Sequence, residues 1–372
     1  MTDARLDRFP VYVAAVKAQR AVSPTIWLVA GDPFADRTLA VLSDGAAPMV
    51  LFNEAGVDAV VLTPSWLGFG LSRVGQIVSS ARFYALSASV LDSLGQPLGQ
   101  PFMVRRSGSA LLAVTGVAID STNVLTHLNG TSYVTPGFAI AKTTALMRGR
   151  ADLAAVMVEP RTSGSHWGAD FMVNVAGHDR FAMTVSDDTA RLNCYDVSAD
   201  AGRFTARTVD VTGLRSDSAT VRLLESLAAA ADSTAARPMS SPHSVWTNDN
   251  LSHALVGGML TAKLADGFLC DSLFQSDFQE PKDVQALVSL LRDPGRLAVL
   301  TVSGDVLSGL PDYLVLRSGL VRSKLSRSSS YRIATTVDYL QRHPAMAKTG
   351  FELSARPFWT ICLDILQSGQ VK

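Results

Sequence analysis

Residues 25–32 read Thr-Ile-Trp-Leu-Val-Ala-Gly-Asp, a short apolar run rich in β-forming side chains that ends in a Gly-Asp turn. The same pattern recurs at residues 59–62, where Ala-Val-Val-Leu is followed by Thr-Pro. Between the two runs, residues 39–55 space their apolar side chains as a helix does. Strand and helix in alternation predict a layered α/β domain with its ligands at the carboxyl ends of the strands.

The rest of the chain divides at a stretch rich in Ser, Pro and Ala. Before it, the pattern predicts strands at residues 83–87, 111–117 and 153–158, helices at 10–20, 140–150 and 216–231, and hairpins over 171–211. After it, the pattern predicts helices at 250–265 and 284–291 and strands at 297–302 and 331–336. The linker itself covers residues 232–244. We therefore predict a first domain over 1–213, a linker helix and loop over 214–246, and a smaller α+β domain over 247–372.

Charge and composition limit the partners of the chain. Its 372 residues include 33 Lys and Arg and 33 Asp and Glu, so the formal net charge is zero. A neutral chain has no global field to hold a polyanion, and we expect no nucleic-acid partner. Charged residues make up 18% of the chain, below the usual share of about 25%. This scarcity of charge favours interfaces with other proteins.

Neither a membrane segment nor a disulfide framework is expected. Uncharged stretches fall short of the roughly 20 apolar residues that span a bilayer, so we expect no membrane insertion. Asp3, Arg5 and Asp7 interrupt the region where a secretory signal needs an apolar run, which favours an intracellular location. The three cysteines are widely spaced and odd in number, and they predict free thiols.

Six segments in colinear order carry a resemblance that covers nearly the whole chain. They read WLVAGDPF at 27–34, NEAGVDA at 53–59, LSAS at 86–89, DNLSHAL at 249–255, LTVSGDVL at 300–307 and YRIAT at 331–335. In this order they resemble the motifs of the 5′-nucleotidase family, which joins a calcineurin-like metallophosphatase domain to a nucleotide-binding domain. The resemblance implies an α/β + α+β fold, in which a four-layer αββα metallophosphatase-like domain precedes a smaller 5′-nucleotidase C-terminal-like domain.

The metal ligands that the resemblance implies are mostly replaced. Members of the family hold two divalent metals with Asp, His and Asn side chains. Asp32 resembles the metal-bridging Asp, although a Gly-Asp turn at a strand end is the favoured interpretation. His178 is a second candidate remnant. Pro64 and Ser65 stand where the family has its Asn-His pair, and proline has no side chain that can bind a metal. We therefore expect no catalytic residue and no cofactor, with Mn or Zn as the alternative.

The residues that the resemblance assigns to nucleotide binding are also replaced. The glycine-rich loop of the family falls on residues 271–276, where Leu273 and Phe274 fill the space that glycines leave open. Ser276 replaces the arginine of that loop, and Asp293 replaces one of the two aromatic residues that sandwich the base. Phe351 falls on the second aromatic position and is a candidate base-stacking remnant, although ordinary core or interface packing is the favoured interpretation.

A retained framework with altered chemistry in both domains predicts a catalytically inactive 5′-nucleotidase-like protein. It would act as a structural or scaffolding subunit of a protein assembly. The first alternative is a metal-dependent phosphoesterase that hydrolyses nucleotide phosphates at a site rebuilt around Asp32, Asp36, His166 and His178. The second alternative is a non-catalytic binder of a small ligand in the cleft between the domains.

Overall fold

The computed structural model describes eleven ranges of the chain: residues 4–29, 37–118, 125–159, 171–175, 180–183, 191–198, 203–236, 247–274, 281–291, 294–309 and 325–367. The helices within them are α1 (Ala4–Val22), α2 (Arg37–Leu42), α3 (Ala46–Ala55), α4 (Pro64–Leu67), α5 (Leu71–Ser80), α6 (Pro136–Arg148), α7 (Ser218–Ala235), α8 (Asn248–Thr261), α9 (Val284–Leu290), α10 (Gly304–Ser308), α11 (Val337–Arg342), α12 (Pro344–Ala347) and α13 (Phe358–Gln367). None of these helices is both long and apolar enough to cross a membrane.

The N-terminal domain contains two larger sheets and two pairs of strands. Its strands are β1 (Leu28–Val29), β2 (Ala59–Val61), β3 (Tyr84–Leu86), β4 (Val90–Asp92), β5 (Phe102–Ser107), β6 (Ala110–Ala118), β7 (Thr131–Tyr133), β8 (Leu153–Glu159), β9 (Phe171–Val175), β10 (Arg180–Met183), β11 (Arg191–Ser198) and β12 (Arg203–Asp210). The first sheet is parallel, in the order β1-β2-β3, and the second has the order β10-β9-β8-β6-β5. Two further pairs, β4 with β7 and β11 with β12, each form a two-stranded sheet.

Alternating side chains explain why the two larger sheets stack. On β2, Ala59 and Val61 pack against Val114 of β6, whereas Val60 belongs to the core on the helix side of the sheet. Successive residues of a strand point to opposite faces, so β2 contributes to both layers. Gly116 of β6 is required at the contact, because a Cβ there would lie 2.8 Å from the Cβ of Leu86. The sheets therefore approach as closely as their backbones allow.

Helix α6 covers the outer face of the five-stranded sheet. Ala139 packs with Val117 and Val156, and Met147 packs with Ala113 and Ala154. The other helical layer, on the three-stranded sheet, includes α1, α3 and α5, which share its core. The order helix, sheet, sheet, helix confirms the predicted four-layer αββα arrangement.

Several predicted elements need correction in extent. The single helix predicted over 39–55 is two helices, because Asp44 and Gly45 adopt positive φ values of 48° and 78° and turn the chain between them. The helix predicted over 216–231 spans Ser218–Ala235 in the structure. Residues 237–246 of the predicted linker lie outside the described ranges. The hairpin prediction is confirmed by the antiparallel pairs β9 with β10 and β11 with β12.

The C-terminal domain contains one mixed sheet. Its strands are β13 (Gly267–Leu269), β14 (Arg296–Ser303), β15 (Ser330–Thr336) and β16 (Phe351–Pro357), in the order β13-β15-β14-β16. The predicted strands correspond to β14 and β15, whereas β13 and β16 were not predicted. Buried residues of α8, α9 and α13 continue the same hydrophobic core that lies beneath the three-stranded sheet. One core therefore joins the two domains.

Asp217 ties the start of α7 to α1. Its carboxylate accepts hydrogen bonds from the Lys17 ammonium at 2.6 Å and from the Thr220 backbone N–H at 2.9 Å. The Lys17 contact, followed by the Thr220 N–H, lowers the pKa of Asp217 to about 2. Asp217 is thus both the N-cap of α7 and one half of an ion pair.

We expect Asp217→Ala to lower the free energy of unfolding by about 1 kcal/mol, because the helix loses its cap. Asp217→Asn keeps a capping oxygen and loses only the charge, so it should cost less. The pKa of Asp217 in the folded chain lies below the ordinary value of 3.8. The ionised carboxylate therefore contributes fully to the free energy of unfolding above that pH, and the contribution is lost as the pH falls toward about 2. Urea unfolding should therefore show the difference between the parent chain and Asp217→Asn shrinking over that interval, and a constant difference would contradict the ion-pair contribution.

Candidate functional site

The positions that the resemblance assigns to metal binding fall largely outside the described ranges. Asp32 and His178 lie there, as do Asp36 and His166 of the rebuilt-site alternative. Among the residues that the structure does describe, no three His, Cys, Asp or Glu side chains come together as metal ligands do. Within the described part of the chain, no cluster of side chains takes the place of the metal pair that the resemblance implies.

Pro64 and Ser65 open the short helix α4. Proline suits the first position of a helix, where its missing N–H has no intrahelical partner to lose. The next two residues, Trp66 and Leu67, are 0% and 3% exposed and belong to the main core. The chain segment that resembles a metal-binding turn therefore ends in apolar packing.

The loop at residues 271–274 is held by contacts of its own. Asp271 accepts a hydrogen bond from Arg342 of α11 and lies 3.5 Å from the Nε2 atom of His343. The Ser272 hydroxyl donates to the carbonyl of Phe274 at 2.7 Å. Leu273 and Phe274 are 6% and 1% exposed, so both side chains lie inside the core. In this conformation the loop presents no open glycine backbone to a ligand.

Phe351 lies at the contact between the two domains. Its side chain is 3% exposed, and its carbonyl accepts a hydrogen bond from the Asn129 N–H at 2.8 Å. Leu128 pairs with it as an isolated parallel bridge. The preceding Gly350 has a φ of 81°, and a Cβ there would lie 2.6 Å from the Asn129 side-chain oxygen. A base could stack on the Phe351 ring only after these segments separate.

Arg296 makes a second contact between the domains. This arginine begins β14, is 7% exposed, and donates to the carbonyls of Ser354 and Ala355 in the neighbouring strand β16. Across the domain contact it donates to the carbonyl of Phe69 and binds the Asp44 carboxylate, with 3.1 Å between Nη2 and Oδ2. One guanidinium group thus joins both domains.

The electrostatics around Arg296 favour a fixed arrangement. Burial lowers the pKa of Arg296, and the Asp44 carboxylate opposes that effect. Asp44 also lies 3.4 Å from the guanidinium of Arg73 and is about one-third exposed. Because a buried guanidinium needs all of its donors satisfied, separating the domains would leave Arg296 without its anion and one of its carbonyl partners.

Sequence reasoning did not identify Arg296 or Asp44. The available signal was an arginine opening an otherwise apolar strand, Arg-Leu-Ala-Val-Leu-Thr-Val-Ser. Asp44 is followed by Gly45, which reads as a turn and indicates nothing about a distant partner. Since the pair is 252 residues apart in the chain, only the folded structure connects them.

Comparison with known proteins supports the fold through structure alone. No family model matches the sequence, and no curated protein matches it in sequence. A putative 5′-nucleotidase from Staphylococcus aureus superposes with a TM-score of 0.58 at 11% identity, over 98% of this chain and 91% of that one. A 5′-nucleotidase precursor from Thermus thermophilus gives 0.55 at 12% identity, over 98% and 90%.

A third solved structure comes from a differently named enzyme. The sulfate thiohydrolase SoxB from Thermus thermophilus superposes with a TM-score of 0.54 at 15% identity, over 97% of this chain and 79% of that one. These likenesses extend over both domains, as the resemblance in the sequence motifs does. The chain therefore has the two-domain fold of the 5′-nucleotidases, a metallophosphatase-like domain followed by a smaller C-terminal domain.

Proposed function

We propose that this chain is a catalytically inactive 5′-nucleotidase-like protein that serves as a structural subunit of a protein assembly. The observation that carries the proposal is the burial of the side chains at the nucleotide-binding positions. Leu273, Phe274 and Phe351 are at most 6% exposed and form part of one core. A nucleotide would have to displace apolar packing at each of them.

The domain contact supports the same proposal. Arg296 with Asp44, and Phe351 with Asn129, hold the two domains together. Burying charge and strand backbone at this contact stabilises one arrangement of the domains. A rigid arrangement suits a subunit that other proteins bind, whereas an enzyme of this fold needs its substrate to enter between the domains.

Metal content is the measurement that tests the inactive half of the proposal. The purified full-length chain is incubated with Mn²⁺ and Zn²⁺, free ion is removed, and the bound metal is counted by elemental mass spectrometry. We expect far less than one metal per chain. About two metals per chain, lost on Asp32→Ala, would instead support the rebuilt phosphoesterase site.

A nucleotide panel separates the remaining alternatives. We expect no release of inorganic phosphate from nucleoside monophosphates and no increase in melting temperature when they are added. A thermal shift without phosphate release would favour a small-ligand binder. For the structural half, light scattering after isolation from the native cells should show the chain in a particle larger than a monomer, and a monomer would contradict it.

A further inference from the structure

The outer face of α6 exposes two large apolar side chains on either side of a single cation, Lys142. Its inner face packs on the five-stranded sheet through Ala139 and Met147. On the outer face, Phe138 is 62% exposed and Leu146 is 47% exposed. The exposed residues Ala141 and Ala145 lie between them. A typical amphipathic helix places polar side chains at such positions.

These four residues form one stripe along the helix. At about 100° per residue, positions 138, 141 and 145 lie within about 60° of one another, and 146 lies about 80° from 138 on the other side of Lys142. At a rise of about 1.5 Å per residue, the stripe from Phe138 to Leu146 is about 12 Å long. That length matches two to three turns of a second helix lying alongside.

The charges of this face have one sign. Helix α6 carries Lys142 and Arg148 and contains no Asp or Glu. Both cations are exposed, and within the described ranges no ion pair is found for either of them. Just beyond the helix, the guanidinium of Arg150 lies 5.4 Å from the centre of the Phe102 ring. A partner that covers the stripe must therefore supply the carboxylates.

We propose that the outer face of α6 is a docking surface for an acidic amphipathic helix of a partner protein. The inference rests on the proposed structural role and names the chemistry of the partner. Apolar side chains of the incoming helix cover Phe138 and Leu146, and its Glu or Asp residues pair with Lys142 and Arg148. A membrane surface is the less favoured occupant, since stable lipid binding needs a larger apolar face and more cations than α6 offers.

Site-specific photo-crosslinking in the cells that natively make the chain tests this surface. p-Benzoylphenylalanine replaces Phe138 in the full-length protein, and the crosslinked peptides are sequenced by mass spectrometry. The same crosslinker at Leu94, which is 81% exposed in a turn, is the matched control. We expect a crosslink at position 138 to a segment with apolar residues at helical spacing and flanking carboxylates, in at least tenfold excess over the control.

Charge reversal distinguishes specific recognition of the partner from nonspecific apolar association. We expect Lys142→Glu with Arg148→Glu to lower the yield of that crosslink at least tenfold while circular dichroism and the melting temperature remain unchanged. No crosslink above the control, a neutral or basic partner segment, a second copy of this chain, or a yield unaffected by charge reversal would each overturn the proposal.

A membrane occupant has its own test. Sedimentation with vesicles containing 30% phosphatidylserine should leave the chain in the supernatant, and binding that Phe138→Ser abolishes would overturn the proposal. The metal assay can fail while the crosslink succeeds, and the reverse also holds. Failure of the docking surface and failure of the inactive-enzyme proposal are therefore distinguishable.

Discussion

Arg296→Met should destabilise the chain by about 2–3 kcal/mol, because buried carbonyls at the domain contact lose their hydrogen-bond donor. Methionine replaces the aliphatic part of the arginine side chain but leaves the carbonyls of Phe69 and Ser354 without this donor. The partly exposed carboxylate of Asp44 keeps its ion pair with Arg73. Urea titration followed by circular dichroism measures the loss. Hydrogen exchange should also accelerate around residues 67–70 and 354–356, because the domain contact opens first there.

Two comparison variants show whether this loss belongs to the contact. Arg332→Met removes an exposed arginine from β15 of the same sheet and should change stability by less than about 0.5 kcal/mol. Arg296→Lys keeps the charge but cannot reach carbonyls and carboxylate together, so it should recover less than half of the loss. Equal effects of Arg296→Met and Arg332→Met would show that Arg296 does not hold the domains together.

Phe351→Ala should cost about 3–5 kcal/mol, as expected for truncating a buried phenylalanine. The ring is 3% exposed, and the cavity left behind lies where two domains meet, so neither domain can close it alone. Thermal or urea unfolding measures the change. Phe351→Leu preserves most of the volume and should cost about 1 kcal/mol.

The same substitution separates the two interpretations of Phe351. A residue kept for stacking on a base would be exposed in the free protein, and its truncation would reduce a nucleotide response without loss of stability. A core residue behaves in the opposite way. Phe138→Ala is the control, because that ring is 62% exposed and its loss should change stability by less than about 0.5 kcal/mol. Equal costs at the two positions would contradict core packing of Phe351.

The layered domain could be predicted because its strands are locally distinctive. Residues 59–61 are all apolar, and 110–118 are apolar apart from Thr115 and Gly116, as strands covered on both faces are. Both segments are strands in the structure. Strand β16 was missed although its sequence, Phe-Glu-Leu-Ser-Ala-Arg-Pro, alternates apolar and polar residues, as a partly exposed strand at the edge of a sheet does. It lacks the continuous apolar run that marks the strands of the first domain.

For the candidate site, the sequence could predict only which expected side chains are missing or replaced by bulkier ones. Set against the motifs of the family that the chain resembles, proline at position 64 and bulky side chains at 273 and 274 predict altered chemistry before the fold is known. Whether Phe351 is stacked or buried depends on Leu128 and Asn129, which lie more than 200 residues earlier in the chain. No local pattern encodes such a contact, so the sequence left both interpretations open.

The long span of the Arg296 contact affects how the chain can fold during synthesis. Asp44 and Arg296 are 252 residues apart. At about 5–20 residues per second, a ribosome needs about 13–50 s to make the segment between them. Throughout that interval, the C-terminal residues that pair with Asp44 and complete the core beneath the three-stranded sheet have not yet been made. The N-terminal domain therefore leaves the ribosome with apolar surface exposed, and a chaperone that shields this surface should raise the yield of native protein.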